Sequence, residues 1–442
     1  MVVNNRSTAW GNFDEHQPPA PELIDDCVHC GFCLPTCPTY VLWGEEMDSP
    51  RGRIYLMDLV GHGAADFDQT LVRHFDTCLG CMACVTACPS GVRYDELLES
   101  MRFQIERHHT RPWRDRAFRR AIFELFPYPG RLRLAALGGW VYQRSGLARL
   151  VRASGLRGRL PARLRALESL VPPTRLRDLL TRPPTRVAAV GERRRTVALL
   201  TGCVQRVFFS EVNAATVRTL AAEGCEVLIP RGQGCCGALS THVGRRREAV
   251  ERARHTITTF EAFDVDTIVV NVAGCGSAMK EYGRLLADDP AWADRAATFA
   301  AKVRDVTEVL AELAPRAPRH PVRARVAYHD ACHLGHAQRV RAEPRAVLRG
   351  IPGLEVVDVP ETEVCCGSAG VFNLLEPEAA EALGRRKVDN IRSLAPDAVV
   401  TANPGCLLQI RRHLGEHANL PLLHPVELVD ASIRGRGLPG GT

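Results

Sequence analysis

Cys27-Val-His-Cys30-Gly-Phe-Cys33-Leu-Pro-Thr-Cys37-Pro38 is answered by Cys78-Leu-Gly-Cys81-Met-Ala-Cys84-Val-Thr-Ala-Cys88-Pro89, the same C-x2-C-x2-C-x3-C-P run twice. The offset is constant, 78 − 27 = 51 and 88 − 37 = 51, so the segment is an internal duplication. In such runs three closely spaced thiolates hold three irons of one [4Fe-4S] cube, and the fourth, redirected by the proline, reaches the neighbouring cube. The spacing therefore assigns Cys27, Cys30, Cys33 and Cys88 to one cluster and Cys78, Cys81, Cys84 and Cys37 to the other. Structural zinc takes two separated ligand pairs rather than four cysteines in eleven residues. Between the runs, Pro50-Arg51-Gly52-Arg53-Ile54-Tyr55-Leu56-Met57 reads as a turn leading into a helix, which points to an α-helical ferredoxin domain over residues 1–100. Arg51 and Arg53 are either tuning charges for a nearby cluster or part of a solvated turn.

A second, longer duplication follows residue 195. Val197-Ala-Leu-Leu-Thr-Gly-Cys203 matches Val326-Ala-Tyr-His-Asp-Ala-Cys332, Cys235-Cys236-Gly237 matches Cys365-Cys366-Gly367, and Gly274-Cys275 matches Gly405-Cys406, at offsets of 129, 130 and 131. Each unit, 196–320 and 321–442, alternates apolar strands such as Glu226–Ile229 and Thr267–Asn271 with helical patterns such as Val212–Ala222. That alternation predicts two α/β Cys-Cys-Gly repeat units with parallel strands, their cysteines following the carboxyl ends of the strands where open sheets place ligand sites. Cys203, Cys235, Cys236 and Cys275 form one candidate set of metal ligands, and Cys332, Cys365, Cys366 and Cys406 the other. Of the 17 cysteines this leaves Cys225, whose counterpart is Leu354, as a small apolar filler. Gly232-Gln-Gly234-Cys-Cys-Gly237 fits G-x-G-x-x-G, but its counterpart Glu361–Gly367 loses two of the glycines, so the shared feature is Cys-Cys-Gly and not a nucleotide loop. His329, Asp330, His333 and His336 surround Cys332 as candidate supporting, ligating or proton-relaying groups.

The rest of the chain bounds the reading. With 442 residues, 45% hydrophobic and 24% charged, it has room for about three domains and is neither collagenous nor disordered. An odd cysteine number excludes complete disulfide pairing, and the start MVVNNRSTAWGNFDEH lacks the basic and apolar segments of a secretory signal. No apolar run approaches the roughly 20 residues of a membrane span. Residues 101–195 form an Arg-rich connector, helical in Ala121–Phe126 and Leu164–Leu170 and broken at Pro127, Pro129 and Pro172-Pro173, with Pro183-Pro184 as a boundary. Its arginines suit a solvated face, a partner subunit or an anionic membrane surface; a net charge of +7 and 6% aromatics speak against nucleic acid.

Cys27–Tyr40, Cys78–Tyr94 and the two Cys-Cys-Gly units, joined by Ser49-Pro-Arg-Gly-Arg-Ile-Tyr, Pro230-Arg-Gly-Gln-Gly-Cys-Cys-Gly-Ala-Leu and Asn403-Pro-Gly-Cys-Leu-Leu-Gln-Ile, resemble the iron-sulfur subunit of glycolate oxidase over nearly the whole chain. That family is related to heterodisulfide reductase subunits and to the iron-sulfur subunit of anaerobic glycerol-3-phosphate dehydrogenase. The resemblance implies an electron-carrying oxidoreductase subunit, cytoplasmic or peripheral on the inner face of the cell membrane. Flavin-containing partners would oxidise glycolate to glyoxylate, and electrons would pass to a membrane acceptor such as quinone. Lactate and glycerol 3-phosphate are the alternative substrates. Heterodisulfide reductase units end in C-x-x-C and use a fifth cysteine; here those positions are Ala278 and Gln409, which argues against disulfide cleavage. Four thiols remain per unit, enough for one ordinary cube each or for an emptied relic. The expected cofactors are thus two [4Fe-4S] clusters, with room for up to two more in the Cys-Cys-Gly units, and no flavin in this chain.

Overall fold

The computed structural model describes residues 10–172, 182–415 and 419–440, together with Leu176 and Leu179. The helix break expected at Pro173 and the first nine residues lie outside them. Ser49 opens the first long helix, α1 (Pro50–Gly61), by accepting a hydrogen bond from the Gly52 amide, and Pro50 supplies a preset φ where no amide is needed. Its inward face, Ile54, Met57 and Val60, packs on Leu71, Val72 and Phe75 and on Leu97, Leu98, Met101 and Ile105 of α2 (Tyr94–His108). Each such buried side chain contributes roughly 1.5–3 kcal/mol, and together they form a helical core beneath the two cysteine runs. The helix α2 runs straight across the expected boundary at residue 100.

The connector contains α3 (Trp113–Leu125), α4 (Pro129–Arg144) and α5 (Ala162–Leu170). Pro129, expected to break a helix, begins one instead, since a proline in the first turn costs no hydrogen bond. The connector is not a solvated strap. Ile122, Phe123 and Ala166 are buried against Val371, Leu374 and Leu375 of the last unit, while Leu134, Val141, Leu147 and Leu150 stay exposed.

The first unit has the sheet order β1-β3-β2-β4-β5, formed by Arg186–Val187, Cys225–Leu228, Arg195–Leu200, Thr267–Val270 and Val303–Asp305. Only β1 is antiparallel, a strand the sequence reading did not expect. The second unit has the order β7-β6-β8-β9, from Leu354–Asp358, Ala324–Tyr328, Ala398–Val400 and Leu422–Leu423, all parallel. The duplication is exact in register: Val197 pairs with Val227 as Val326 pairs with Val356. Core residues Val197, Leu199 and Val269 of one unit and Val388, Val399 and Leu407 of the other belong to one continuous cluster. Among the described residues no helix is long and apolar enough to cross a membrane.

Candidate metal centre

The glycine of each Cys-Cys-Gly has a structural reason. Gly237 and Gly367 sit at φ +86° and +85°, where a side chain is strained, and a Cβ at Gly367 would meet the Ala380 carbonyl at 2.8 Å. The left-handed turn aims the Gly237 amide at Cys235 Sγ, 3.5 Å away. In each unit the first cysteine then meets the second after a strand: Cys203 Sγ is 3.8 Å from Cys235 Sγ, and Cys332 Sγ 4.0 Å from Cys365 Sγ. A cavity of about 360 Å³ is lined by Cys203, Cys235, Cys236 and Cys275 of the first unit and by Cys332, Cys365 and Cys406 of the second. Its far wall is apolar, built by Phe126 of the connector, Leu132 of α4 and Leu167 of α5. Cys366 lies beside Cys406 and His329, their ligand atoms within 4.8 Å of one another and all three residues buried.

The ferredoxin cysteines also fall into groups. One hollow is lined by Cys27, Cys30, Cys33 and Cys88, a second by Cys37, Cys78 and Cys81, and Cys84 borders both. Cys30 is exposed at the rim, with Val28 and Phe32 also exposed beside it. Arg51, bonded to Glu46 at 2.6 Å and to the His29 carbonyl at 3.0 Å, braces that loop. Arg53 is no solvated turn residue. At 1% exposure it bonds the His74 carbonyl, Thr39, Thr77 and Asp48. Burial pushes the Cys78 thiol up, but the Arg53 and Arg102 guanidiniums outweigh it and hold the thiol below its ordinary value. Burial, and then the nearby Cys365 thiol, push Cys81 well up, and both residues belong to one buried cluster that joins the ferredoxin part to the second unit. Groups of four soft sulfur donors, one at the surface and one buried beside a cation, fit iron-sulfur ligation.

The histidines expected around Cys332 part company. His329 joins the Cys366 and Cys406 thiols, and His333 lines the shared cavity. Asp330 pairs with Arg345 at 2.6 Å, His333 meets the His242 ring with centroids 4.7 Å apart, and His336 Nδ1 lies 2.6 Å from Thr86 Oγ1 of the ferredoxin part. Gln233, inside the glycine-rich stretch, accepts from the Thr201 amide and donates to the Leu199 carbonyl, both at 2.9 Å, so the stretch is a latch on β2. Gln409, at the missing fifth-thiol position, donates to the Ala380 carbonyl at 2.7 Å. Cys225 is fully buried in the shared core, away from the other thiols. The sequence reading missed Arg102, which donates to the Cys78 carbonyl at 2.6 Å, and Lys387, whose buried ammonium donates to the Glu361 carbonyl at 2.7 Å. One arginine among many and one helical lysine carry no motif, and only the folded chain singles them out.

Residues 23–92 match the 4Fe-4S dicluster domain model, 197–280 and 326–411 the cysteine-rich domain model, and 114–171 the model for the glycolate oxidase iron-sulfur subunit, linker region. The probable glycolate oxidase iron-sulfur subunit of Bacillus subtilis is 38% identical over 425 residues, covering 94% of each chain. The chain belongs to the glycolate oxidase iron-sulfur subunit family. The Escherichia coli glycolate oxidase iron-sulfur subunit is 35% identical over 94% of this chain and 95% of its own. Lactate utilization protein A of an Exiguobacterium species is 31% identical over 242 residues, 54% of this chain and 98% of its own. As a member of this family the chain is a component of an oxidoreductase that carries iron-sulfur clusters. The family's linker region coincides with α3, α4 and α5, which supply the apolar wall of the shared cavity.

Proposed function

We propose that this chain relays electrons within a glycolate-oxidising complex, from a flavoprotein partner that converts glycolate to glyoxylate toward a membrane acceptor such as quinone. The observation that carries the reading is the burial of Cys81 against Cys365, which sets the ferredoxin thiols beside those of the second unit. Cys27, Cys30, Cys33 and Cys88 would hold one cluster, and Cys37, Cys78, Cys81 and Cys84 another. Cys203, Cys235, Cys236 and Cys275 would hold a third, and Cys332, Cys365, Cys366 and Cys406 a fourth. Bound there, the clusters supply one-electron transfer, whereas hydroxyacid oxidation removes two electrons, so a flavin on the partner is the expected converter.

The chain's own residues do the rest. Exposed Val28 and Phe32 beside Cys30 offer an apolar entry face for the partner. Arg53 offsets thiolate charge around Cys78 and Cys37. The connector wall keeps water from the thiols of both units. Leu134, Val141, Leu147 and Leu150, exposed among arginines, support contact with an anionic membrane surface on the cytoplasmic side. The ferredoxin part, connector and two repeat units are four functional segments near 1–100, 101–195, 196–320 and 321–442. Replacing Cys81 with Ser in the assembled complex tests this: glycolate still reduces the flavin, but acceptor reduction falls at least tenfold. Acceptor reduction at the normal rate would refute the relay. The likeness to lactate utilization protein A favours lactate as the second reading, and comparing both hydroxyacids on the same complex separates the two.

A further inference from the structure

The two repeat units share strand register and thiol spacing, yet the surroundings of their last cysteines differ. Cys406 receives the Asn403 amide, Nδ2 to Sγ at 3.4 Å. A ring nitrogen of His329 lies within 4.8 Å of the Cys406 and Cys366 sulfurs, all three residues buried. His329 is 1% exposed, follows the end of β6 directly, and leaves Nδ1 buried without a hydrogen-bond partner. In the first unit the matching positions are Leu200, 129 residues before His329, and Val272, 131 residues before Asn403. Cys275 therefore has two aliphatic side chains where Cys406 has two nitrogen donors.

We propose that His329 and Asn403 are positioning residues that tune the redox potential of a cluster held by Cys332, Cys365, Cys366 and Cys406, so that the two units are unequal stations. This rests on the reading that the unit holds a cluster. An N–H directed at a ligating sulfur withdraws charge from it and stabilises the added electron, which makes the cluster easier to reduce. A neutral imidazole and an amide suffice, because each presents an N–H. The four cysteines already provide one ligand per iron, which leaves His329 as a donor to sulfur rather than a fifth ligand. In the first unit Arg206, whose Nη1 donates to the Gln233 carbonyl at 3.0 Å, acts as a charge beside the sulfurs and not as a hydrogen-bond partner of Cys275.

The test is an EPR-monitored redox titration of the whole complex, purified without oxygen, with iron counted on each sample. His329→Leu and Asn403→Val convert the second unit to the pattern of the first. The inference predicts unchanged iron and one cluster signal, the same in both variants, harder to reduce by about tenfold in its one-electron equilibrium, which is 59 mV. His329→Gln, which keeps an N–H, recovers part of the loss. Should His329→Leu lose iron, Asn403→Val removes the amide contact alone and must still show the shift. Titration curves unchanged in a fully loaded Asn403→Val or His329→Leu sample would overturn the inference. So would a strong nitrogen coupling in pulsed EPR, the mark of a bound imidazole. Iron in the wild-type complex sufficient only for the ferredoxin cysteines would instead overturn the underlying reading, and the inference with it.

Discussion

Arg102 Nη1 donates to the His242 carbonyl at 2.7 Å, which fastens the helix α2 of the ferredoxin part to the first repeat unit. The same guanidinium donates to the carbonyls of Phe75 at 3.2 Å and Cys78 at 2.6 Å, so one side chain spans the cysteine run and the unit docked on it. Replacing Arg102 with Met takes this donor from the His242 and Cys78 carbonyls, at about 1–3 kcal/mol for each that water does not reach, while the Phe75 carbonyl keeps the Cys78 amide at 3.3 Å. We expect a thermal midpoint lowered by several degrees and slower electron transfer past the ferredoxin part, with iron content retained. Unchanged stability in a melting experiment would mean that Arg102 is not the fastening.

Arg53 should be less forgiving. Its guanidinium is buried with Asp48, Nη2 to Oδ1 at 3.3 Å, and removal of one partner of a buried pair costs about 3–5 kcal/mol. Arg53→Met should therefore fail to retain the cluster expected at Cys37, Cys78, Cys81 and Cys84 while Arg51→Met, at a half-buried site, retains it. Iron analysis of the two variants side by side decides the point.

These two arginines show where sequence reading stops. Cysteine spacing is legible because ligation of one cube fixes separations along the chain, and repeat offsets are legible because each unit must rebuild the same strand order. Which thiol sets face one another is not legible: Cys81 meets Cys365 only through the packing of the ferredoxin helices on the second unit. His329, His333 and His336 lie within eight positions, yet the π-helical turn His333–Ala337 sends the last two toward His242 and Thr86. The two-residue strand β1 is too short to show an alternation. The sequence leaves Arg53 open between a tuning charge and a solvated turn, and it is buried because Asp48, Thr39 and Thr77 converge on it.

Cys225 provides the contrast to the candidate ligands. It lies in the shared core at 0% exposure, and burial pushes its thiol up to about 11, the state of an inert packing group. Cys225→Ala should cost on the order of 1 kcal/mol in stability and leave iron and EPR spectra unchanged. Loss of a cluster signal in that variant would contradict its assignment as filler.

Glu427 gives a pH dependence. Burial raises its carboxyl from an ordinary 4.5 to about 7, outweighing the hydrogen bond it accepts from the His424 amide at the start of the helix Pro425–Ile433. The folded chain holds the proton more tightly than the unfolded chain, so this contribution is complete below about pH 4.5 and is lost as pH rises through 7. Glu427→Gln removes it. Relative to wild type, the variant should gain stability at pH 8, by at most about 3 kcal/mol, and gain nothing near pH 4.5. The neighbouring His424, which burial lowers to about 3, acts in the opposite sense in both proteins and cancels in the difference. Thermal unfolding of the two chains at both pH values measures it; a gain independent of pH would rule out Glu427 as its source.

The most direct measurement is iron and acid-labile sulfide per chain in the complex purified without oxygen, with low-temperature EPR after dithionite reduction. Four cysteine sets each holding a cube predict about sixteen irons and matching sulfide, with signals from interacting clusters. About eight irons, with only the ferredoxin signals present, would contradict the assignment of the repeat units as electron-carrying stations.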